Sequence, residues 1–341
     1  MINVGICGLG FMGMIHYLAY QKVRGAKVKA ICEKIPERLA GDWRSIKGNF
    51  GPRGKKMNLA GIATYSELDK MLADPNIDMV DICLPPFAHA ENAIAALKAG
   101  KHVLCEKPIA LSVDDARRMV KTASQTGKML MIAHVLPFFA AYRFALNTIQ
   151  SKKYGRFLGG NFTRVISDPL WLKDFYDPNG CGGPMVDLHI HDAHFIRLIC
   201  GMPKAVHSVG RMRGQVAEYF NTQFLCSDPS LVVTATSGVI NQQGRPFTNG
   251  YEIHLERATL LFESWTQTPV TVLTDDGRVR RPKFTPGTDE TDDFAAELTE
   301  ATKAIATGKP SKLLDGQLAL DALILGQRQT ESIVKRRPIK V

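Results

Sequence analysis

The sequence predicts an α/β protein of two domains, a doubly wound parallel sheet followed by an α+β domain with a largely antiparallel, open sheet. Three observations lead there. The chain has 341 residues, more than one core of roughly 100 to 200 residues accommodates. Its first third alternates short apolar runs with stretches of helical period, as strand-helix-strand units do. Beyond about residue 134 that rhythm gives way to repeated apolar-polar alternation, the period of strands with one buried face. The expected domains are residues 1–133 and 134–341.

In the first domain the apolar runs place strands at 3–7, 28–32, 79–84, 102–105 and 129–132, with helices at 11–24, 66–73, 88–99 and 112–127 between them. Ser112 followed by Asp115 reads as a helix-opening cap, and Gly127 as the matching stop. Between 44 and 61 the pattern breaks into glycine and basic residues, a surface insertion beside the second strand. In the second domain alternation predicts strands at 157–166, 205–213, 217–226, 231–240, 251–256, 259–264 and 269–274. A helical block over 187–200 interrupts them, and helices at 289–307 and 315–335 close the chain.

Hydrophobic residues at 45% and charged residues at 22% match ordinary globular proteins and exclude a disordered or fibrous chain. The net charge of +10 is scattered, its densest cluster being Lys335, Arg336 and Arg337, so it predicts attraction of small anionic molecules and no nucleic-acid partner. Seven cysteines without a CxxC pair read as buried thiols in a reducing cytoplasm and not as a disulfide framework or zinc site. The apolar start, 1–20, lacks a basic leader and carries patterned glycines, so it reads as a strand and turn and not as a signal peptide. No run of about 20 apolar residues follows, and no membrane association is expected.

Gly8, Gly10 and Gly13 form GxGxxG directly after the first strand and at the mouth of the first helix. Glycines there allow a tight turn, close approach of a pyrophosphate and close helix packing, while the helix start offers amide donors from the turn that holds Leu9, Phe11 and Met12. Glu33 ends the second strand about 20 residues on, where an acid can take the ribose hydroxyls of a dinucleotide. The first domain is therefore expected to be a Rossmann domain. Glu33 favours NAD, since a carboxylate repels the 2′-phosphate of NADP. Lys34 and Arg38 follow it and are able to neutralise that phosphate, which keeps NADP open.

Cys105, Glu106, Lys107 and Pro108 end a strand on the side where doubly wound sheets bind ligands. Downstream, Gly182, Gly183 and Pro184 lead into a segment with Asp187 and His191, four apart and so on one face of a helix. A carboxylate there orients an imidazole that exchanges a proton near neutral pH. The glycine motif, the stretch from Pro85 and Pro86 to His89, the run from Ala99 to Pro108, and the paired glycines with Asp187 and His191 together resemble the glucose-fructose oxidoreductase, inositol dehydrogenase and MocA family (Gfo/Idh/MocA). The resemblance spans nearly the whole chain. It implies a Rossmann domain followed by an open-sheet domain whose flat face makes homodimers or homotetramers. It also implies that Lys107 touches substrate and nicotinamide, often after a cis peptide to Pro108, that His191 transfers the proton, and that Asp187 supports it. Cofactor contacts are implied for Leu84, Pro85, Pro86, His89, Glu106 and Lys107, and the implied substrate is a small carbohydrate-like molecule.

His189 and His194 stand where relatives have other residues. On a regular helix His189 points away from His191 and His194, so no metal site is expected. His134 lines the cleft by resemblance, whereas Pro137 departs from the arginine common there. Trp171, Phe175 and Tyr176 lie in a loop before the reaction segment, and Trp171 and Tyr176 are candidates to stack on a sugar ring. Three functions fit these residues: an NAD(P)-dependent dehydrogenase of a sugar or polyol, a redox-neutral enzyme that cleaves or epimerises a glycoside through transient oxidation by retained NAD, and a dinucleotide-responsive binding protein.

Overall fold

A computed structural model describes residues 1–48, 50–266, 270–284, 289 and 291–341. The chain forms two compact units: one joins Met1–Phe138 to the described residues of Pro286–Leu320, the other joins those of Phe139–Thr285 to Asp321–Val341. The order of elements is β1 (Ile2–Cys7), α1 (Phe11–Tyr20), β2 (Ala26–Cys32), α2 (Pro36–Leu39), β3 (Ala63–Tyr65), α3 (Leu68–Leu72), β4 (Met79–Ile82), α4 (His89–Lys98), β5 (His102–Glu106), α5 (Val113–Thr126) and β6 (Leu130–Ala133). It continues with α6 (Ala140–Gln150), β7 (Phe157–Ser167), α7 (Ile190–Cys200), β8 (Ala205–Arg213), β9 (Val216–Leu225), β10 (Val232–Ile240), β11 (Thr248–Leu255), β12 (Ala258–Glu263), β13 (Thr271–Thr274), β14 (Val279–Arg280), α8 (Asp292–Thr307), α9 (Gly316–Lys335) and β15 (Ile339–Lys340).

The first unit is a six-stranded parallel sheet in the order β3-β2-β1-β4-β5-β6. All residues of central β4 and of edge strand β6 are buried, as expected of parallel strands covered on both faces, and this is why their sequences read as apolar runs. Asp81 is the exception within β4. Helix α5 opens with Ser112 Oγ accepting the Asp115 amide at 3.1 Å and closes at Gly127, so the local signals at both ends were sound. The chain does not divide at a single cut. Helix α8 returns to pack on α1, presenting buried Phe294, Leu298 and Ala301; sequence order carries no mark of such a return. The 44–61 segment is mostly exposed but anchored, for Trp43 is fully buried and meets Tyr17 edge-on at 4.8 Å. The short edge strand β3 follows it, too brief and exposed to show a period.

The second unit is a nine-stranded sheet in the order β14-β13-β12-β11-β7-β10-β9-β8-β15. Among the described residues β7 and β10 run parallel and the other pairs antiparallel, the largely antiparallel sheet that the alternation predicts. Phe162, Phe220, Phe224, Val233 and Ala235 are buried. Helix α6 escapes the alternation-based reading, although Ala141, Tyr142, Ala145 and Leu146 form its buried stripe at helical spacing. Tyr142 anchors it against Phe195 and Tyr251 at 5.2 and 5.3 Å. The 187–200 block is not one regular helix. Pro184–Leu188 forms a π-helical turn in which the His189 amide donates to the Pro184 carbonyl at 2.8 Å, five residues back, and α7 starts only at Ile190. Residue 49 of the expected insertion, 269 at the start of the expected 269–274 strand and 290 of the expected helix lie outside the described residues.

Candidate active site

Strand register in the first unit sets one edge of the sheet. Cys32, Cys7, Ile82, Cys105 and Ile132 pair in a single row across β2, β1, β4, β5 and β6. Residues just beyond that row emerge together at the carboxyl ends of the strands: Glu33, Gly8, Leu84, Lys107 and His134. Neighbouring strands lie about 4.8 Å apart, so the turns after β1 and β5 are separated by roughly 10 Å.

The glycine turn is built for close approach. Gly8 has φ +94°, and a side chain there would meet the Cys83 carbonyl. A Cβ on Gly13 would lie 2.0 Å from the Gly8 oxygen, so that position is closed by packing, whereas a Cβ on Gly10 would meet nothing within 4 Å. The first helical bond of α1 runs from the Met14 amide to the Gly10 carbonyl at 3.1 Å. The amides of Phe11, Met12 and Gly13 precede it, at the positive end of the helix, where a pyrophosphate is favoured. The Leu9 amide donates to Glu33 Oε2 at 2.7 Å and its side chain is fully buried.

Glu33 stands at the end of β2. Its Oε1 accepts the amides of Lys34 and Ile35 at 2.7 and 3.1 Å, which fixes the carboxylate while leaving lone pairs for hydroxyl donors. Arg38 donates through Nη1 to the Leu9 carbonyl at 2.9 Å and lies 3.8 Å from Glu33. That guanidinium is thus partly used in holding the turn, and Lys34 is exposed. The open Gly10 cradle, the unspent helix amides and the fixed acid fit a dinucleotide whose ribose is not phosphorylated.

Two residues expected at the cofactor, His89 and Glu106, brace the turns of this edge. His89 is fully buried, with Nδ1 2.7 Å from the Pro108 carbonyl and Nε2 2.7 Å from the Leu84 carbonyl. It ties the turn after β4, with half-buried Leu84 and Pro86 and exposed Pro85, to the turn after β5. Burial pulls its pKa down. Glu106 is also buried, and its Oε2 accepts the Lys107 amide at 3.0 Å while Oε1 faces His16 Nε2 at 3.1 Å. Half-buried Lys107 follows, joined to Pro108 by a cis peptide. His134 is buried, its amide donating to the Ile132 carbonyl.

In the second unit Asp187 lies in the π-helical turn and His191 in the first turn of α7, both half-buried. The change of pitch between them replaces the simple four-residue spacing that the sequence suggested. His189 turns inward, with Nδ1 2.8 Å from Ser237 Oγ and the ring edge-on to Phe220 at 5.2 Å; burial pushes its pKa down to about 4. His194 is buried as well. Tyr176 donates to Asp168 Oδ1 at 2.9 Å and carries the Arg213 guanidinium over its ring at 3.8 Å, while Trp171 is exposed and Phe175 buried. Sequence reasoning missed this Asp168 anchor, the buried ion pair of Arg164 with Asp192 at 2.6 and 3.1 Å, and the partners of His16. Among the described residues one group has metal-ligand chemistry at close range, His16, Asp81 and Cys83, in the first unit and away from the histidines that the sequence brought forward.

Residues 2–134 match the oxidoreductase family with an NAD-binding Rossmann fold, and residues 142–261 match the Gfo/Idh/MocA C-terminal domain. The 1,5-anhydro-D-fructose reductase of Ensifer adhaerens is 30% identical over 220 residues, 62% of this chain and 65% of that one. The myo-inositol 2-dehydrogenase of Thermotoga maritima is 26% identical over 100% of this chain and 98% of its own. A levoglucosan dehydrogenase solved in complex with NADH and levoglucosan shares the fold, with TM-score 0.84 and 24% identity over 100% of this chain and 99% of that one. Among the described residues no helix is long and apolar enough to cross a membrane. With both units matched in order along the chain, the protein belongs to the Gfo/Idh/MocA family of oxidoreductases and carries its NAD-binding Rossmann domain.

Proposed function

We propose that this protein is a dehydrogenase that transfers a hydride between NAD and a hydroxyl or carbonyl carbon of a sugar, polyol or closely related compound. The observation that carries the reading is the row of turns on one sheet edge, where Glu33, the glycine turn, Lys107 and His134 emerge together. The relatives named for anhydrofructose, inositol and levoglucosan support the substrate class. The arginine already engaged with Leu9 supports NAD over NADP.

Bound nicotinamide supplies the hydride acceptor or donor. The chain must then handle the proton, because an alcohol carbon cannot release hydride without developing positive character unless its hydroxyl proton leaves. We assign that proton to His191, oriented by Asp187, and assign to Lys107 the stabilisation of negative charge on the reacting oxygen. His134, Trp171 and Tyr176 are proposed substrate contacts, Tyr176 being held in place by Asp168 and Arg213. We place homodimer or homotetramer contact on the second unit's sheet, where cross-strand register puts exposed Val209, Val232 and Leu273 on one face, and we place the protein in the cytoplasm.

The test is a panel of myo-inositol, levoglucosan, 1,5-anhydro-D-fructose and common sugars and polyols with NAD, NADP and their reduced forms. Steady NADH formation or consumption with a panel member is expected. Lys107→Met and His191→Ala should each lower kcat roughly 100-fold to 10,000-fold while NADH still binds. Unchanged turnover in both variants would remove the assigned roles. Turnover of a glycoside without net NADH would replace the dehydrogenase with a redox-neutral enzyme.

A further inference from the structure

The first unit buries a linked set of ionisable side chains that the chemistry above does not use. His16 projects from α1 and Asp81 from the middle of β4, and both are fully enclosed. His16 Nδ1 lies 2.9 Å from Asp81 Oδ2, and His16 Nε2 lies 3.1 Å from Glu106 Oε1, the second contact being an ion pair without an aligned hydrogen bond. Cys83 Sγ stands 3.5 Å from the same ring. Glu106 then accepts the Lys107 amide through its other oxygen at 3.0 Å. A path of direct contacts thus runs from Asp81 through His16 and Glu106 to the backbone of Lys107.

We propose that His16 is a positioning residue: as an imidazolium clasped between Asp81 and Glu106 it fixes the Glu106 carboxylate, which holds the turn from which Lys107 works. The proposal rests on the assignment of Lys107 to the reaction. A neutral imidazole has a single N–H and would turn a lone pair toward one of two carboxylates. The imidazolium has a donor on each side and places its charge between two anions in a dry site, where such attraction is little screened. Burial alone would pull the His16 pKa down, but the Asp81 carboxylate beside it raises it well above the usual histidine value. The other groups facing the cluster are Tyr20 of α1, Cys83 beyond β4, Cys105 of β5 and Glu297 of α8. Burial pushes all four upward, toward their uncharged forms.

The attraction between His16 and the Glu106 oxygen 3.1 Å away is little screened in this dry site, and with the Lys107 amide on the other oxygen it holds the carboxylate in place. Displacement of a reacting group by about 1 Å costs on the order of a hundredfold in rate. In this arrangement His16 acts on catalysis through the turn and not through the dinucleotide, whose amide donors lie at Phe11, Met12 and Gly13.

His16→Asn removes one of the two donors, and Glu106→Gln keeps an oxygen for the Lys107 amide while removing the charge. Both variants should lower kcat on the best alcohol of the panel by roughly tenfold to a hundredfold, with the NADH Kd, read by fluorescence, within about twofold of the parent. In a Lys107→Met background, His16→Asn should cost no further activity, since a residue acting through another is non-additive with it. An independent reading comes from the dinucleotide-free protein, where the Lys107 amide proton, downfield through its bond to a carboxylate, should move upfield in both variants. If His16→Asn does not fold, Glu106→Gln supplies the same two readings. An unmoved Lys107 amide, additive losses in the double variant, or about one equivalent of zinc bound to the purified protein through His16, Asp81 and Cys83 would overturn the proposal. Full turnover by Lys107→Met alone would instead remove the assignment of Lys107, leaving the amide shift to decide whether His16 holds the turn.

Discussion

His16 in the first unit and His189 in the second are both fully enclosed, each with one ring nitrogen within 3 Å of an oxygen, yet their surroundings drive them to opposite protonation states. His16 faces the carboxylates of Asp81 and Glu106, and against the cost of burial the charge of Asp81 raises its pKa. His189 faces a serine hydroxyl and an aromatic edge, so burial wins and the ring stays neutral, with its pKa near 4. Asp192 lies close enough to pull that value upward, but Arg164 pairs with it at 2.6 Å and opposes the pull. The same side chain in equal burial therefore makes a fixed charge behind a ligand-binding edge in one unit and a neutral pin in the other. What decides is whether the neighbouring acid is already neutralised.

The contrast is sharpest when each ring is deleted. His16→Leu strands two carboxylates in the interior of the first unit and should destabilise the protein by about 3 to 5 kcal/mol, the usual cost of breaking a buried ion pair from one side. His189→Leu strands one hydroxyl and should cost about 1 to 3 kcal/mol. Urea denaturation at neutral pH measures both. Equal losses would show that His16 carries no charge in the fold.

Much of the first unit was legible because its signals are local. The glycines, the acid at the end of β2 and the cap at Ser112 each lie within a turn of the feature they specify. The strand register then brings Glu33, Gly8 and Lys107 to one edge by topology alone. The roles of Glu106 and His89 were not legible, since both sit in the ligand-side motif yet turn inward to partners whose identity only the fold supplies. His16 and Asp81 are 65 residues apart. An acid in the otherwise apolar strand MVDI was a usable sign that something must meet it, but not which residue. In the second unit alternation marked the strands and overshadowed α6, whose helical stripe was there to be read. The π-helical turn at Pro184–Leu188 leaves the apolar pattern almost unchanged, so the spacing of Asp187 and His191 had to come from the backbone.

The pH dependence of stability sets the two histidines on opposite limbs. His189 has a folded pKa below its unfolded value of 6.5. The unfolded chain therefore binds the extra proton first as pH falls, and the stability that His189 contributes above pH 6.5 is lost progressively down to about pH 4, by on the order of 3 kcal/mol. His16 behaves in the reverse sense. Its folded pKa is raised, so its contribution is complete below 6.5 and is lost as pH climbs through the folded value. Urea midpoints across the range should fall on both sides, and His189→Gln should flatten the limb between pH 6.5 and 4 while leaving the alkaline limb as it was. Exposed carboxylates held low, such as Asp289 at about 2, act below this window, whereas His89 and His102, which burial also pulls down, add to the acid limb and keep their share in the variant. An acid limb of full slope in the variant would show that the ring of His189 is not the titrating group.

The smallest change tests what keeps His189 neutral. Ser237 is buried and its hydroxyl is 2.8 Å from Nδ1, so Ser237→Ala should cost about 1 kcal/mol at neutral pH through the lost hydrogen bond. The depressed pKa, however, is caused by burial first, with Arg164 adding to it and Asp192 opposing it; the serine is not among its causes. Ser237→Ala should therefore lower the urea midpoint at every pH by nearly the same amount and leave the slope between pH 6.5 and 4 intact. A shallower slope would mean that water enters beside the ring once the hydroxyl is gone, since a hydrated imidazole takes its proton near the ordinary value.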